Sequence, residues 1–320
     1  MGGRDQLSFA DAVMDPRLGV NETLQRIDGL VDWVQLEVLV RKLRKEGGRP
    51  PFAALGMLKA LYLQSLYGLS DPGMEEALLD RLSFRRFCGF GLDARTPDET
   101  TICRFRLDAA AAGVLEECFA CINRQLEARG LFAKKGTLID ATLISASHNK
   151  PSFAAGGGGA VHPRDPDATF TRKNGRTHFG FKGHVGADEG TLLVRKALFT
   201  PNAVSDSEVA DDLISWDEQA VYADRGYPQK ARRLRLREAG ISDRIMHRRH
   251  KSQKDLPQSR KRHNALIARR RAPVESIFSV LKRIYGQGRA RCRSLAAAGA
   301  DFFAALTMYN LRRALRLGAA

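Results

Sequence analysis

At Gly136 the apolar residues of this 320-residue chain change their period, and the period decides what kind of layer each side can build. Before it the spacing is helical. Pro51 to Tyr67 carries Leu55, Leu58, Leu61, Leu63 and Leu66, and Gly68 supplies the stop. Ser70, Asp71 and Pro72 then give a cap and an early proline for the next helix. Thr96-Pro97-Asp98-Glu99 reads as a capping box, with Thr96 as the cap and Glu99 three residues on. The helix it opens runs through Phe105, and a longer one follows that Gly130 closes. After Gly136, Thr137 to Ile144 is a continuous apolar run broken chiefly by Asp140, the pattern of a buried central strand.

The remaining segments predict a mixed sheet. Residues 146–176 are largely polar and contain Gly156 to Gly159 in succession, so they read as a mobile insertion. Phe179, Phe181 and Val185 alternate with Lys182 and His184, and Asp188-Glu189-Gly190 turns the chain into Leu192 to Phe199. That hairpin has one core face, and its other face presents Lys182 and His184. Ser205 to Trp216 reads as helix and Gln219 to Asp224 as a strand ending on its acid. Tyr227 to Ala239 reads as a basic helix closed by Gly240, and Ile241 to Met246 as a short strand. The charged stretch Lys251 to His263 reads as loop, and a helix through Glu275 comes next. This order predicts an α/β fold: a ribonuclease H-like mixed-sheet core over residues 131–320, preceded by an all-α N-terminal domain over residues 1–130.

The formal charge is +16, and it is concentrated. Between Gln229 and Ser294 there are 21 Lys and Arg against 4 Asp and Glu, a surplus of 17. A surplus of that size points to a polyanionic partner, with nucleic acid the leading candidate. The amino terminus lacks the apolar core of a signal peptide and no run is long enough to span a membrane, so a cytoplasmic home is expected. Five cysteines do not suggest a disulfide framework. Cys118 and Cys121 form a Cys-x-x-Cys on a helix without a second pair at ligand spacing, and buried thiols are the favoured reading over zinc.

Asp140, Asp224 and Glu275 carry the chemistry. An acid inside an apolar strand is costly unless it is paired or metal-bound. Two Mg²⁺ ions about 3.5–4 Å apart can stabilise the attacking and leaving oxygens of an in-line phosphoryl displacement, and such hard cations take carboxylate oxygens. Asp140 can bridge two ions, Asp224 can hold one and Glu275 the other, with Mn²⁺ a natural substitute. On the last helix Lys282 lies within about 20° of Glu275, beside an apolar stripe of Val274, Ile277, Phe278 and Leu281. A solvated charged face is the bland alternative for that helix. Lys182, Arg225, Arg271, Lys282, Arg289, Arg291 and Arg293 are candidate phosphate contacts. His184 is a candidate to position a phosphate, although a strand-face His without such a role is the more frequent case.

Taken together these residues resemble the DDE-class bacterial insertion-sequence transposases, specifically the IS-five family, from about Pro51 to Leu315. The resemblance is carried by Leu69-Ser70-Asp71, by Thr96 to Thr101 with Arg104-Phe105-Arg106, and by Asp140-Ala141-Thr142. Gly180 to His184, Ala223 to Tyr227, and Arg271 with Glu275 and Lys282 complete it. Where such enzymes often carry Tyr three residues before the Arg, this chain has Ala268, a departure that bears on whichever end contact the Tyr would make and not on the metal site. The resemblance implies binding at terminal inverted repeats, metal-dependent hydrolysis that frees a 3′ hydroxyl, and attack by that hydroxyl on target DNA. It also implies that Asp140, Asp224 and Glu275 are the metal ligands and that Arg271 and Lys282 touch the transposon end. Two ends must be held together, so a homodimer or higher assembly on nucleoid DNA is expected, with the N-terminal helices binding ends or a second subunit. A ribonuclease H-like nuclease that cuts without joining, and a non-catalytic DNA-binding repressor, are the alternative readings.

Overall fold

The structure is a computed structural model and describes residues 19–43, 52–148, 165–173, 175–249, 253 and 255–319. The chain forms two compact units. The first comprises Met1–Gln125, Ile284–Gly286 and Phe303–Ala320, the second Leu126–Arg283 and Gln287–Phe302.

Helices α1 (Glu22–Leu30), α2 (Trp33–Arg41), α3 (Ala54–Tyr67), α4 (Asp71–Asp80), α5 (Leu82–Cys88), α6 (Glu99–Ala111) and most of α7 (Val114–Ala128) belong to the first unit. Every residue of α3 from Leu55 to Leu66 is buried, so it is wrapped on all sides rather than amphipathic. Gly68 ends it with left-handed backbone, φ 65°. Its single charge, Lys59, is met by Asp28 at 2.5 Å and lies 4.2 Å over the Trp33 ring. Ser70 caps α4 by accepting from the Gly73 N–H at 3.2 Å. Asp71 pairs with Arg106, and Gln64 donates to Asp71 at 2.6 Å while accepting from Arg106 at 3.1 Å. The two sequence motifs around Asp71 and Arg106 therefore meet inside this unit and serve its fold. The capping box shifts by two residues: Asp98, not Thr96, caps α6 by accepting from the Thr101 N–H at 2.7 Å. A charged acceptor holds those first-turn donors better than a hydroxyl, and the Glu99 N–H goes to Glu75 at 2.8 Å. Cys118 and Cys121 are buried free thiols, and burial pushes Cys118 up to about 12.

The second unit is built on a six-stranded mixed sheet of β1 (Thr137–Ser145), β2 (Thr169–Lys173), β3 (Arg176–Asp188), β4 (Val194–Pro201), β5 (Ala220–Ala223) and β6 (Ser242–Ile245). The order is β2-β3-β1-β5-β6, with β4 also paired to β3. β1 and β3 are antiparallel, whereas β1, β5 and β6 run parallel. Within the expected insertion, β2 is a strand, while Gly156 to Gly159 lie outside the described residues. β3 is buried from Phe179 to Asp188, which overturns the expectation that one face of the hairpin presents Lys182 and His184. The reason is that both faces of β3 are covered, one by Phe302 and the other by the Ala210–Leu213 turn. A Cβ on Gly183 would come within 2.6 Å of the Phe302 ring, and one on Gly186 within 2.3 Å of the Leu213 carbonyl oxygen.

The expected helix from Ser205 to Trp216 condenses to one 3-10 turn, Ala210–Leu213. Asp206 and Asp211 there commit their carboxylates to Lys182 and Arg232, at 2.9 and 2.7 Å, which ties the segment down as a loop. Helices α8 (Lys230–Glu238), α9 (Gln258–Arg271), α10 (Val274–Arg283) and α11 (Leu295–Arg316) complete the chain. The last part of the charged stretch read as loop, from Gln258 to His263, is thus the start of α9, which buries only Asn264 and Ile267, too narrow a stripe to show a period. The sequence reading ends at the helix of Glu275; α11 is an addition. Phe303–Ala320 groups with the helical unit, not with the sheet as the 131–320 division expects.

Candidate active site

β1 and β5 are paired in parallel with Thr137 beside Val221 and Leu138 beside Tyr222. Three residues beyond the first of these pairs on each strand come Asp140 and Asp224, so the two acids stand level on neighbouring strands. β5 stops at Ala223 while β1 continues to Ser145. That mismatch leaves the edge of β1 without a partner strand beside Asp140. Ile139, Val221 and Ala223 pack into an apolar cluster with Leu213, Leu236 and Ile245. Side chains alternate along a strand, so Asp140 lies on the other face.

Asp224 opens a tight turn, accepting from the Gly226 N–H at 2.7 Å. Asp140 is approached by Arg271, the last residue of α9, with Nη1 2.7 Å from Oδ2 and side chains 15% and 18% exposed. Burial pushes the Asp140 carboxyl above its ordinary value; Arg271 and the Ala141 N–H pull it back, and the charge of Asp224 adds to the rise. The two acids therefore feel each other. Glu275 sits one turn after Arg271 in the first turn of α10, exposed, beside the buried stripe of Val274, Ile277, Phe278 and Leu281 that the sequence predicts.

As a cation site the donors fit in part. Asp140 and Asp224 offer hard oxygens at one level of the sheet, the donor type a divalent cation takes. Among the described residues no group of three or more His, Cys, Asp or Glu is close enough to hold an ion. The described residues therefore do not gather all three acids around one ion; Asp224 is a charge neighbour of Asp140, and the residue that pairs with Asp140 from α9 is Arg271.

The candidate phosphate contacts divide between surface and interior. Arg225, Lys282 and Arg293 are exposed. Burial and the charge of Lys173 both lower the pKa of Lys282. Arg289 is exposed as well, but donates to the Ala146 and Ser147 carbonyls at 3.1 and 2.9 Å. Arg291 is paired with Asp301. Lys182 is buried, donating to the Val204 carbonyl at 2.8 Å beside Asp206. His184 is wholly buried with Nε2 2.8 Å from the Thr200 hydroxyl, and burial brings its pKa down to about 4, against Asp206 and with Lys182. His184 does not reach solvent, and Lys182 keeps only 11% of its side chain exposed.

Two further residues, Asp206 and Tyr227, are not among the sites marked from sequence. Asp206 pairs with Lys182 and its charge acts on His184, and no spacing signals it. Tyr227, 1% exposed, has a hydroxyl without a hydrogen-bond partner among the described residues. Burial first, then Asp206, Asp140 and Asp224, raise its pKa well above the usual phenol range. Its place in Ala223 to Tyr227, directly after the Asp224 turn, is the signal that points to it.

A family model described as "Transposase DDE domain" matches residues 132–311, and a second, "Transposase domain (DUF772)", matches residues 13–108. No solved structure matches the chain. Since the first match alone spans more than half of the sequence and contains both level acids, the chain belongs to the transposases that carry a DDE domain and is an enzyme of that class.

Proposed function

We propose that this transposase is of the IS-five type, cleaving DNA at the terminal inverted repeats of its element and joining the freed 3′ hydroxyl to target DNA. The observation that carries this is the level placement of Asp140 and Asp224 on adjacent parallel strands inside the matched DDE domain. The sheet directions, antiparallel for β1 with β3 and β3 with β4 but parallel for β1, β5 and β6, support a ribonuclease H-like core.

Asp140 and Asp224 would hold Mg²⁺, with Mn²⁺ able to replace it, and Glu275 is the proposed third ligand. Bound as a pair, such ions supply charge stabilisation to both oxygens of the displaced phosphodiester. Arg271 provides the counter-charge of Asp140 and lies where a terminal phosphate must approach. Arg225, Lys282 and Arg289 offer further cations at the surface of the same unit. Lys182 and His184 support the strand from within, and Arg291 braces α11 through Asp301. Two transposon ends and a target require an assembly of at least two chains on double-stranded DNA, in the bacterial cytoplasm where the nucleoid lies. Among the described residues no helix is long and apolar enough to cross a membrane.

The test uses a duplex carrying the element's ends. Asp224→Ala is expected to abolish cleavage while leaving DNA binding nearly intact; retained cleavage refutes the site. Cut but never joined products in the wild type identify a nuclease instead.

A further inference from the structure

We propose that Tyr227 is a positioning residue of the Asp140 and Asp224 site, its buried hydroxyl held ready to donate to the water that a divalent cation brings with it. The inference rests on the cation reading of those two acids and gives a role to a residue that reading leaves out.

Asp224 and Tyr227 are the two ends of one tight turn. The Tyr227 N–H closes it on the Asp224 carbonyl at 3.3 Å, and Asp224 Oδ1 accepts from the Gly226 N–H inside it at 2.7 Å. A four-residue turn closed in this way fixes its ends relative to each other. The far end is clamped as well. Arg232, wholly buried, donates through Nη1 to the Tyr227 carbonyl, through Nη2 to the Ser207 carbonyl at 2.5 Å and through Nε to Asp211 at 2.7 Å. One guanidinium therefore locks the turn to the segment that carries Asp206.

Packing does not account for the hydroxyl. The Tyr227 ring lies among Ile139, Leu213, Leu236 and Ile245, a place that a phenylalanine would fill. The oxygen adds a polar atom in a residue 1% exposed, without a hydrogen bond among the described residues. An unmade bond of that kind weighs against the fold, and it marks a place for a bound water, an ion or chemistry. Burial keeps the proton on the phenol, and the charges of Asp206, Asp140 and Asp224 reinforce it against Arg271, so the group stays a donor. Two of those three acids are matched: Asp206 pairs with Lys182 at 2.9 Å and Asp140 with Arg271 at 2.7 Å. Asp224 has no ion pair among the described residues. The donor without an acceptor and the acid without a cation thus stand at the two ends of one turn. A water alone answers only the phenol. A hydrated cation answers both, its charge meeting the carboxylate and its retained water the hydroxyl.

The experiment measures Mn²⁺ bound to the full chain without DNA, from the loss of the free ion's electron paramagnetic resonance signal, alongside the melting temperature of the cation-free protein. Asp224→Asn defines the site, since the binding it removes belongs to the acids. Tyr227→Phe is expected to weaken that binding by about tenfold or more, the scale for losing a group that hydrogen-bonds a metal's ligand. Its cation-free melting temperature should stay at or above that of the wild type, because the variant loses only an unmade bond. Wild-type Mn²⁺ affinity in Tyr227→Phe overturns the proposal and leaves the cation reading standing. A fall in the cation-free melting temperature overturns it too, because the hydroxyl then serves the fold. A wild type that binds no more Mn²⁺ than Asp224→Asn refutes the cation reading itself, and this inference with it. The two failures are told apart because one is read on the variant and the other on the wild type.

Discussion

The guanidinium of Arg271, at the end of a helix, stands 2.7 Å from the carboxylate of Asp140, in the middle of a strand. Each group is largely withdrawn from water and would be costly there alone. Together they form a neutral pair beside a second acid. Charge is the larger of the two effects Arg271 has on Asp140, and its Nη1 lies close without an aligned hydrogen-bond partner, so a cation that offers Asp140 more ligation can take its place.

Removing that counter-charge should therefore expose a cation site. Arg271→Gln is expected to cost about 1–3 kcal/mol of stability, less than a fully buried pair because both side chains keep some solvent. Added Mg²⁺ or Mn²⁺ should raise the melting temperature of the variant more than that of the wild type, by mass action on a site the arginine no longer contests. Equal shifts in the two proteins would falsify the shared site.

At Asp224, charge and turn geometry are separable. Asp224→Asn keeps an oxygen to accept from Gly226, so unfolding free energy should stay within about 0.5 kcal/mol of wild type. Cleavage should nonetheless fall by roughly 10²-fold or more, the scale for losing one preorganised charged group. A large drop in stability would mean that the carboxylate serves the fold.

What could be read from sequence follows how much of each pattern is local. The run around Asp140 and the strand ending at Asp224 were legible because a lone acid in an apolar strand violates its own pattern. Gly68 and Ser70 were legible because caps act within four residues. The burial of Lys182 and His184 was not: alternating polarity signals a solvated face, and only the packing of Asp206 and the Ala210–Leu213 turn onto that face cancels the signal. α9 was missed because a helix held by Asn264, Ile267 and Arg271 has almost no apolar period. Arg271 is marked from sequence, yet its pairing with Asp140 joins a helix end to a distant strand, and no local pattern shows it.

β3 tests how closely that covering layer is fitted. Gly186→Ala would put a Cβ 2.3 Å from the Leu213 carbonyl oxygen, a backbone atom that cannot swing aside. The expected loss is about 1–3 kcal/mol or more, read as a lower urea midpoint. Gly288→Ala meets nothing within 4 Å and should leave the midpoint almost unchanged. Similar midpoints for the two variants would show that the turn over β3 yields.

His184 should make the sheet unit sensitive to acid. Its ring, buried against Thr200, is held neutral down to about pH 4 by loss of solvent, with Lys182 helping and Asp206 opposing. In the unfolded chain an ordinary histidine takes its proton near pH 6.5. Between these values the unfolded state binds more protons, so stability present above about pH 6.5 falls as the pH drops and this contribution is gone near pH 4. The interval corresponds to roughly 3 kcal/mol at most. Urea unfolding followed between about pH 7 and pH 4 should therefore show a steeper loss in the wild type than in His184→Gln, which has no ring to protonate. If both proteins lose stability in parallel across that window, the ring gains its proton without unfolding and the interior around Thr200 is wetter than its packing implies.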